Sequence, residues 1–583
     1  MAETFVKKTL LKNGEDYDVI YRQARVPIDP STLSVDEDGP GMDSMGMGVT
    51  APFNQRVYEP VPGIICEQDV PVKMRDGVTI YVDIFRPRDE INVPCLVSWS
   101  FYGKRPGEGM TEWQIMGVVP GTISKYAKFE SPDPEYWCRN GYAIANVDPR
   151  GIGHSEGDAS LFGSQDARDG YDFIEWVAEQ WWCSGKVGMA GNSCLAMTQW
   201  RIAAECPPHL TCIAPWEGTS DLYRESLYEG GIPALTFNEY IVGSVTGPNG
   251  TEDLVEMGKT HQYWDEWYED KLPDFSKIRI PVYATACWNH FHLRGAFEGF
   301  RKIKSSKKWM RAHRDFEWPD AFCEKGIREL RTYFDRYLKD IRNGWEMTPR
   351  VRIEVQDAWE FNYMEDRPET SFPLKRTEYK KLYLNAADNT MAFEPFEAES
   401  NLKYDGATEE AVFDYKFEED TEITGFMKLR LWVAAESYDD MDLFINVQKL
   451  DTKGEWLPVG VLGEPHPGAW GKLRASHRAI DEKKSKHFQP IHPHTEKSIQ
   501  KLVPGEPVAV DIEIVPHSRF WHKGQSIRVQ VAGRYIREGW FEPLTWESDN
   551  QGNHIIFTGG QYDSYLQIPV IPPKFQDGDC IYR

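Results

Sequence analysis

The sequence predicts a mostly parallel α/β domain followed by an antiparallel β-sandwich. Three observations carry this. At 583 residues the chain exceeds what one hydrophobic core supports, so two or three domains are expected. Six short apolar runs, several separated by helix-like stretches, fill residues 94–313. After residue 345 the hydrophobic pattern changes to strict alternation.

Residues 1–60 read as a polar N-terminal arm. Its segment "DEDGPGMDSMGMGVTAP" is rich in Gly, Pro and Asp, as expected of a loop or a clasp on another domain. The apolar runs of the α/β domain, residues 61–345, are "PCLVSWSFY" (94–102), "YAIANVDPRG" (142–151), "KVGMAGNS" (186–193), "LTCIAPWEG" (210–218), "IPVYATACW" (280–288) and "KKWMRAH" (307–313). "DARDGYDFIEWVAEQW" (166–181) and "DAFCEKGIRELRTYFDRYLKD" (320–340) are the clearest helices; in the second, Ile327, Leu330, Phe334, Tyr337 and Leu338 recur at helical spacing. Strands alternating with helices imply a parallel sheet covered on both faces. Residues 219–279 interrupt that rhythm with a segment rich in Tyr, Trp and Glu, read as an inserted, mainly helical cap. From 346 to 583, "RVRIEV", "GFMKLRLWV", "MDLFINV", "VAVDIEIV" and "SIRVQVAG" have period two, the pattern of sandwich strands.

Composition narrows function. A formal net charge of −25 disfavours binding to a nucleic-acid backbone or an anionic membrane. The ten cysteines are scattered without a Cys-x-x-Cys pair, so neither a zinc site nor a disulfide scaffold is suggested. The opening residues hold no apolar signal-like run, and no stretch of 18 apolar residues occurs. A cytoplasmic setting is the expectation.

"KVGMAGNSCLAMTQW" (186–200) places Ser193 between a strand and a helix. Serine favours helix N-caps, but this corner also lifts a hydroxyl clear of the sheet edge, where ligands of open parallel sheets bind. The G-x-S-x-G nucleophile elbow is half matched: Gly191 is present, whereas Leu195 takes the second glycine position. Acyl transfer also needs a base, an orienting acid and an oxyanion hole. His313 closes the last apolar run and is the candidate base, against the alternative of an ordinary core or surface histidine among 14. Candidate oxyanion donors are the backbone N–H of Cys194 and the phenol of Tyr102; the alternative for Tyr102 is a packed aromatic, and the Cys194 thiol reads either as a reactive group at a helix N-terminus or as a small residue at a crowded turn.

"MRDGVTIYVDIFRP" (74–87), "FYGK" (101–104), "DPRGIGHSEG" (148–157), "WVAEQWWCSGKVGMAGNSCLA" (176–196), "APWEGTSDLYRE" (214–225) and "GKLRASHR" (471–478) resemble the cocaine esterase / X-Pro dipeptidyl peptidase group of α/β-hydrolases. The blocks fall in that group's order over roughly residues 60–580. The resemblance implies an α/β-hydrolase core, a helical cap and a C-terminal jelly-roll sandwich. It also implies a serine hydrolase of esters or amides, with Ser193 as nucleophile, His313 as base, and Tyr102 with the Cys194 amide as oxyanion hole.

The chain departs from that pattern at the third triad member. Where a carboxylate is expected, "ACWNHFHLRG" (286–295) offers Asn289 and His290. Three readings stay open: Glu217 of "PWEG" supplies the acid; Asn289 or His290 orients His313 through a neutral hydrogen bond; or His290, His292 and His313 bind a metal. Trp288 and the aromatic cap are either pocket or core. The expectation is a serine hydrolase of a small organic ester or amide, working through an acyl-enzyme without cofactor or metal. An acyltransferase, or a catalytically impaired binding protein, are the alternatives, and homo-oligomerisation is left open.

Overall fold

The computed structural model describes residues 4–26, 53–105, 117–536, 546–549 and 552–573. The Gly- and Met-rich part of the arm and Cys580 lie outside these.

The α/β domain is built on eight strands: β1 (Ile64–Lys73), β2 (Thr79–Pro87), β3 (Val93–Trp99), β4 (Ala143–Asp148), β5 (Cys183–Asn192), β6 (Leu210–Trp216), β7 (Val282–Cys287) and β8 (Lys308–His313). They lie in the order β1-β2-β4-β3-β5-β6-β7-β8, antiparallel up to the β2–β4 pair and parallel beyond it. Every residue of β3, β4 and β7 is buried, which is why these strands read as mostly apolar runs, with Ser98, Asn146, Asp148 and Thr285 among them, rather than as alternation. Their side chains still divide by pleat: Cys95 and Val97 join the cluster on one face and Leu96 the cluster on the other.

Helices α1 (Ser164–Ala178), α2 (Cys194–Ala204) and α4 (Leu293–Lys302) cover the first face through Phe173, Trp200 and Phe297. Helix α5 (Glu324–Leu338) covers the second through Leu330, Phe334 and Leu338. The intervening cap contains helix α3 (Leu235–Ser244), two further short helices and a π-turn (Tyr223–Leu227). It is not purely helical. Gly250–Glu252 is a strand that pairs with Asp16–Gln23, itself in a hairpin with Thr4–Leu10. The first residues of the chain thus clasp the cap. Arg56–Val61, read from sequence as the end of the arm, instead pairs with β1 at the edge of the core sheet.

In the C-terminal region the long strands β10 (Thr421–Ala435) and β13 (Val508–Trp521) pair antiparallel. Strand β11 (Asp442–Leu450) lies between β12 (Ala469–Arg474) and β14 (Ser526–Ala532). The two regions are not merely tethered. Strand β9 (Val351–Ala358) pairs parallel with β8, so the first strand of the C-terminal region extends the core sheet by one. Val351, Ile353 and Val355 are fully buried there.

Candidate active site

Ser193 sits between β5 and α2 with φ 51° and ψ −116°, a strained backbone for a residue bearing a Cβ. Its N–H donates to the carbonyls of Trp216 and Glu217, which helps hold the corner. Glycine is required at 191: its φ is +129°, and a Cβ there would lie 2.5 Å from Leu195 Cδ2 and 2.9 Å from the Glu130 carbonyl oxygen. Leu195 therefore fills the space that Gly191 leaves. The other close approach to the helix comes from Gly218, whose position faces Ala196 at 2.7 Å. This explains the half-matched motif: the second small residue is supplied by the next strand's loop.

The hydroxyl of Ser193 is hydrogen-bonded to His292, Oγ to Nε2 at 3.0 Å. His292 is the N-cap residue of α4, at the end of the turn that follows β7. The sequence reading placed His313 in this role, and the structure puts it elsewhere. His313 Nε2 lies 2.9 Å from Glu217 Oε1, and its Nδ1 lies 2.9 Å from the carbonyl of Asp315. A carbonyl only accepts, so Nδ1 carries a proton, and Nε2 faces a carboxylate. Burial alone would lower the pKa of His313, but Asp320, 3.5 Å away, and Glu217 outweigh burial and raise it. Both ring nitrogens of His313 are thus engaged, and neither is available to take the serine proton.

The three candidates for the third triad member are placed apart. Glu217, at φ 55°, accepts from the Cys287 N–H (2.7 Å) and from His313; it serves the strand ends and not the imidazole at the serine. Asn289 accepts from His517 Nε2 at 3.2 Å. His290 Nδ1 accepts the backbone N–H of His292 (3.0 Å), so its Nε2 bears the proton and donates to Glu317 Oε1 at 3.1 Å. His290 touches the catalytic geometry through this backbone contact and through its ring, 4.8 Å from that of His292. Because His290, His292 and His313 each have separate partners, they do not converge as metal ligands, and no group of three His, Cys, Asp or Glu residues among the described residues is placed to hold a metal ion.

His292 is fully enclosed. Burial, followed by the neighbouring His290, pushes its pKa well below that of an ordinary imidazole. Its Nδ1 is buried and has no hydrogen-bond partner among the described residues. Serine and a neutral imidazole are therefore juxtaposed, and no carboxylate stands behind the imidazole.

Tyr102 is buried with its phenol between Ser193 and Glu130. Burial and then Glu130 keep the phenol protonated. Burial and then Glu317 raise the pKa of Glu130 well above the carboxylate range. Glu130 Oε1 accepts from Trp318 Nε1 at 2.9 Å. The Cys194 amide opens α2, in the first turn where N–H groups lack intrahelical acceptors. The Cys194 thiol is pushed well up by burial, so it is not a reactive thiolate.

Ser193, Tyr102, Cys194 and His292 line a cleft walled by residues of the core, the 219–279 segment and the C-terminal region. Near the serine it is apolar, with Phe101, Phe162, Met197, Phe237 and Phe291. Trp288, left open between pocket and core, is core: it stacks on Phe297 and donates to the Glu354 carbonyl.

A strained serine at a strand–helix corner, paired with a buried imidazole beneath an apolar cleft, has the construction of a serine hydrolase. Residues 76–253 match the X-Pro dipeptidyl-peptidase (S15 family), and residues 343–567 match the X-Pro dipeptidyl-peptidase C-terminal non-catalytic domain. A solved CocE/NonD family hydrolase from Staphylococcus aureus is 35% identical, with a TM-score of 0.84 over 93% of this chain and 99% of that one. The chain belongs to the CocE/NonD family of hydrolases and is a serine hydrolase. Cocaine esterase of Rhodococcus sp. (strain MB1 Bresler) is 26% identical over 383 residues, 55% of this chain and 62% of that protein. A putative serine esterase of Mycobacterium bovis is 27% identical over 172 residues, 29% of this chain and 27% of that protein. The match to these two curated relatives thus spans less than two thirds of their length.

His292 was named from sequence only as a metal-ligand candidate. The usable signal was in the same turn that lost the acid: "NHFH" replaces a carboxylate and adds an imidazole immediately before a helix.

Proposed function

We propose that the protein hydrolyses an ester or amide of a small organic acyl compound through an acyl-enzyme on Ser193, with His292 as the base. The reading rests on the 3.0 Å contact between Ser193 Oγ and His292 Nε2 in the apolar cleft. In it, His292 Nε2 takes the hydroxyl proton as Oγ attacks the substrate carbonyl carbon. The carbonyl oxygen gains the negative charge and is met by the Tyr102 phenol and the Cys194 N–H. The imidazolium then returns the proton to the leaving alcohol or amine. Water, deprotonated by the same nitrogen, attacks the acyl-enzyme and releases the acid.

The scaffold in this reading is an α/β-hydrolase core over residues 61–345, with a cap at 219–279, followed by a jelly-roll sandwich from 346 to 583. The strand order given above supports it. His290 is a positioning residue: its Nδ1 fixes the backbone of His292, and Glu317 fixes the tautomer of His290. The engaged serine–imidazole pair favours turnover over a relic binding site.

The test is covalent labelling with a fluorophosphonate, together with hydrolysis of p-nitrophenyl esters and aminoacyl amides of graded size. Ser193 should be labelled, and Ser193→Ala should lose both labelling and turnover with its thermal midpoint nearly unchanged. Retained turnover in Ser193→Ala removes Ser193 as nucleophile.

A further inference from the structure

The lining of the cleft contains a cation that belongs to the protein. Lys472, from β12, points its ammonium at the face of Trp546, 3.8 Å from the ring centroid. Trp470 and Tyr535 lie at 5.8 and 6.0 Å from the same nitrogen. Glu229 closes the group, with Oε2 2.7 Å from Lys472 Nζ and Oε1 accepting from Trp470 Nε1 at 3.1 Å. The Lys472 side chain is 3% exposed. All five residues line the cleft that contains Ser193 and His292.

Aromatic faces with a carboxylate are the arrangement that binds quaternary ammonium groups, because each ring face presents the negative part of its quadrupole. Here that arrangement is filled from within. We infer that Lys472 occupies a cation subsite of the catalytic cleft and thereby makes the enzyme select uncharged substrates over cationic ones. This deepens the proposed hydrolytic function and rests on it for its catalytic consequence.

The physical reasoning is direct. A cationic substrate entering the wild-type cleft meets an ammonium already holding the rings and the carboxylate, so it gains no cation–π contact and is repelled by a like charge in a partly desolvated site. The second carboxylate on the cleft, Glu225, is also neutralised, by Arg294 at 2.7 Å. The two carboxylates among the described lining residues, Glu229 and Glu225, are therefore each paired with a basic side chain. A neutral substrate of the same shape faces no such penalty.

The experiment compares two isosteric esters, acetylcholine and 3,3-dimethylbutyl acetate, in the wild type and in Lys472→Met. Methionine keeps the length of the stem and removes the charge. The wild type should prefer the neutral ester, and the ratio of kcat/KM values should move toward the cationic ester by about tenfold or more in Lys472→Met, the range of one desolvated cation–π contact. A second readout needs no turnover. Calorimetric titration with tetramethylammonium should show no binding to the wild type and measurable binding to Lys472→Met. Should the single variant not fold with Glu229 left unpaired, Lys472→Met/Glu229→Gln removes that burden, and the rings alone should still bind the probe, more weakly. If neither folded variant binds tetramethylammonium, or the ester ratio does not move, the inference is overturned. If Ser193 is not labelled by a fluorophosphonate while the variant binds tetramethylammonium, the subsite stands and the hydrolytic reading falls.

Discussion

At the scale of single residues, the arrangement of His292 sets how the reaction should respond to pH. A base works only while neutral. Burial and His290 hold the pKa of His292 well below the ordinary imidazole value of about 6.5. It therefore stays neutral to lower pH than a carboxylate-backed imidazole would, and the acidic limb of kcat/KM should fall well below pH ~6.5. Had His313 been the base, its raised pKa would put that limb above the ordinary value. The pH–rate profile on a neutral ester distinguishes these. A weakened base also has a chemical cost: it drives proton removal less, so substrates with good leaving groups should be turned over best.

The scale of elements explains why this base was hidden in the sequence. The apolar runs gave β3 to β8 and the corner at Ser193 because the strands of a doubly covered parallel sheet are buried on both faces and so mostly apolar. Chain order then pointed to the end of β8, and that strand does deliver His313 to the sheet's carboxyl edge. What sequence does not carry is the contest among neighbouring strand ends. β6 is followed by Glu217, β7 by the turn bearing His290 and His292, and β8 ends in His313. Glu217 reaches His313, because β7, lying between them, offers the Cys287 amide and Thr285 hydroxyl to the same carboxylate. The vacated place at the serine goes to His292, lifted there by the start of α4. His313→Gln should therefore act chiefly on stability, since removing one partner of a buried pair costs about 3–5 kcal/mol. Its sign with pH is fixed. The folded-state pKa of His313 is raised, so the pair's contribution is complete below the unfolded value of about 6.5 and is lost as pH rises through the folded value. The denaturant midpoint of the wild type should exceed that of His313→Gln most at acidic pH, with the gap narrowing as pH rises.

At the scale of the whole molecule, the cleft depends on three regions that Arg294 ties together. Two residues beyond His292 on α4, Arg294 donates to Glu225 of the cap at 2.7 Å and to Glu513 of β13 at 3.1 Å. Gln489 adds further bonds, to Glu298, Arg301 and Glu513. Composition and periodicity distinguished an α/β part from a C-terminal region of mostly strands, but not their joining. Pairing of β8 with β9, and the placing of Trp470, Tyr535 and Trp546 on the same cleft as a serine hundreds of residues earlier in the chain, are tertiary facts without a local pattern. Arg294→Met leaves the buried Glu225 carboxylate and the half-buried Glu513 carboxylate without their guanidinium. It should lower the denaturant midpoint and also reduce kcat, because α4 carries the base; Arg294→Lys should restore part of both. A variant that loses stability with kcat intact would separate α4's anchoring from catalysis. No helix among the described residues is long and apolar enough to cross a membrane.

The central claim is that the serine is served by His292 and not by the histidine at the end of the last core strand. The most direct measurement is kcat on a p-nitrophenyl ester for His292→Ala and His313→Gln, each compared with the wild type below its own unfolding midpoint. His292→Ala should lose at least the 10²–10⁴-fold that a positioned general base contributes, roughly, while His313→Gln keeps most of its kcat when folded. The opposite pattern, an active His292→Ala beside a folded but inactive His313→Gln, would contradict the account.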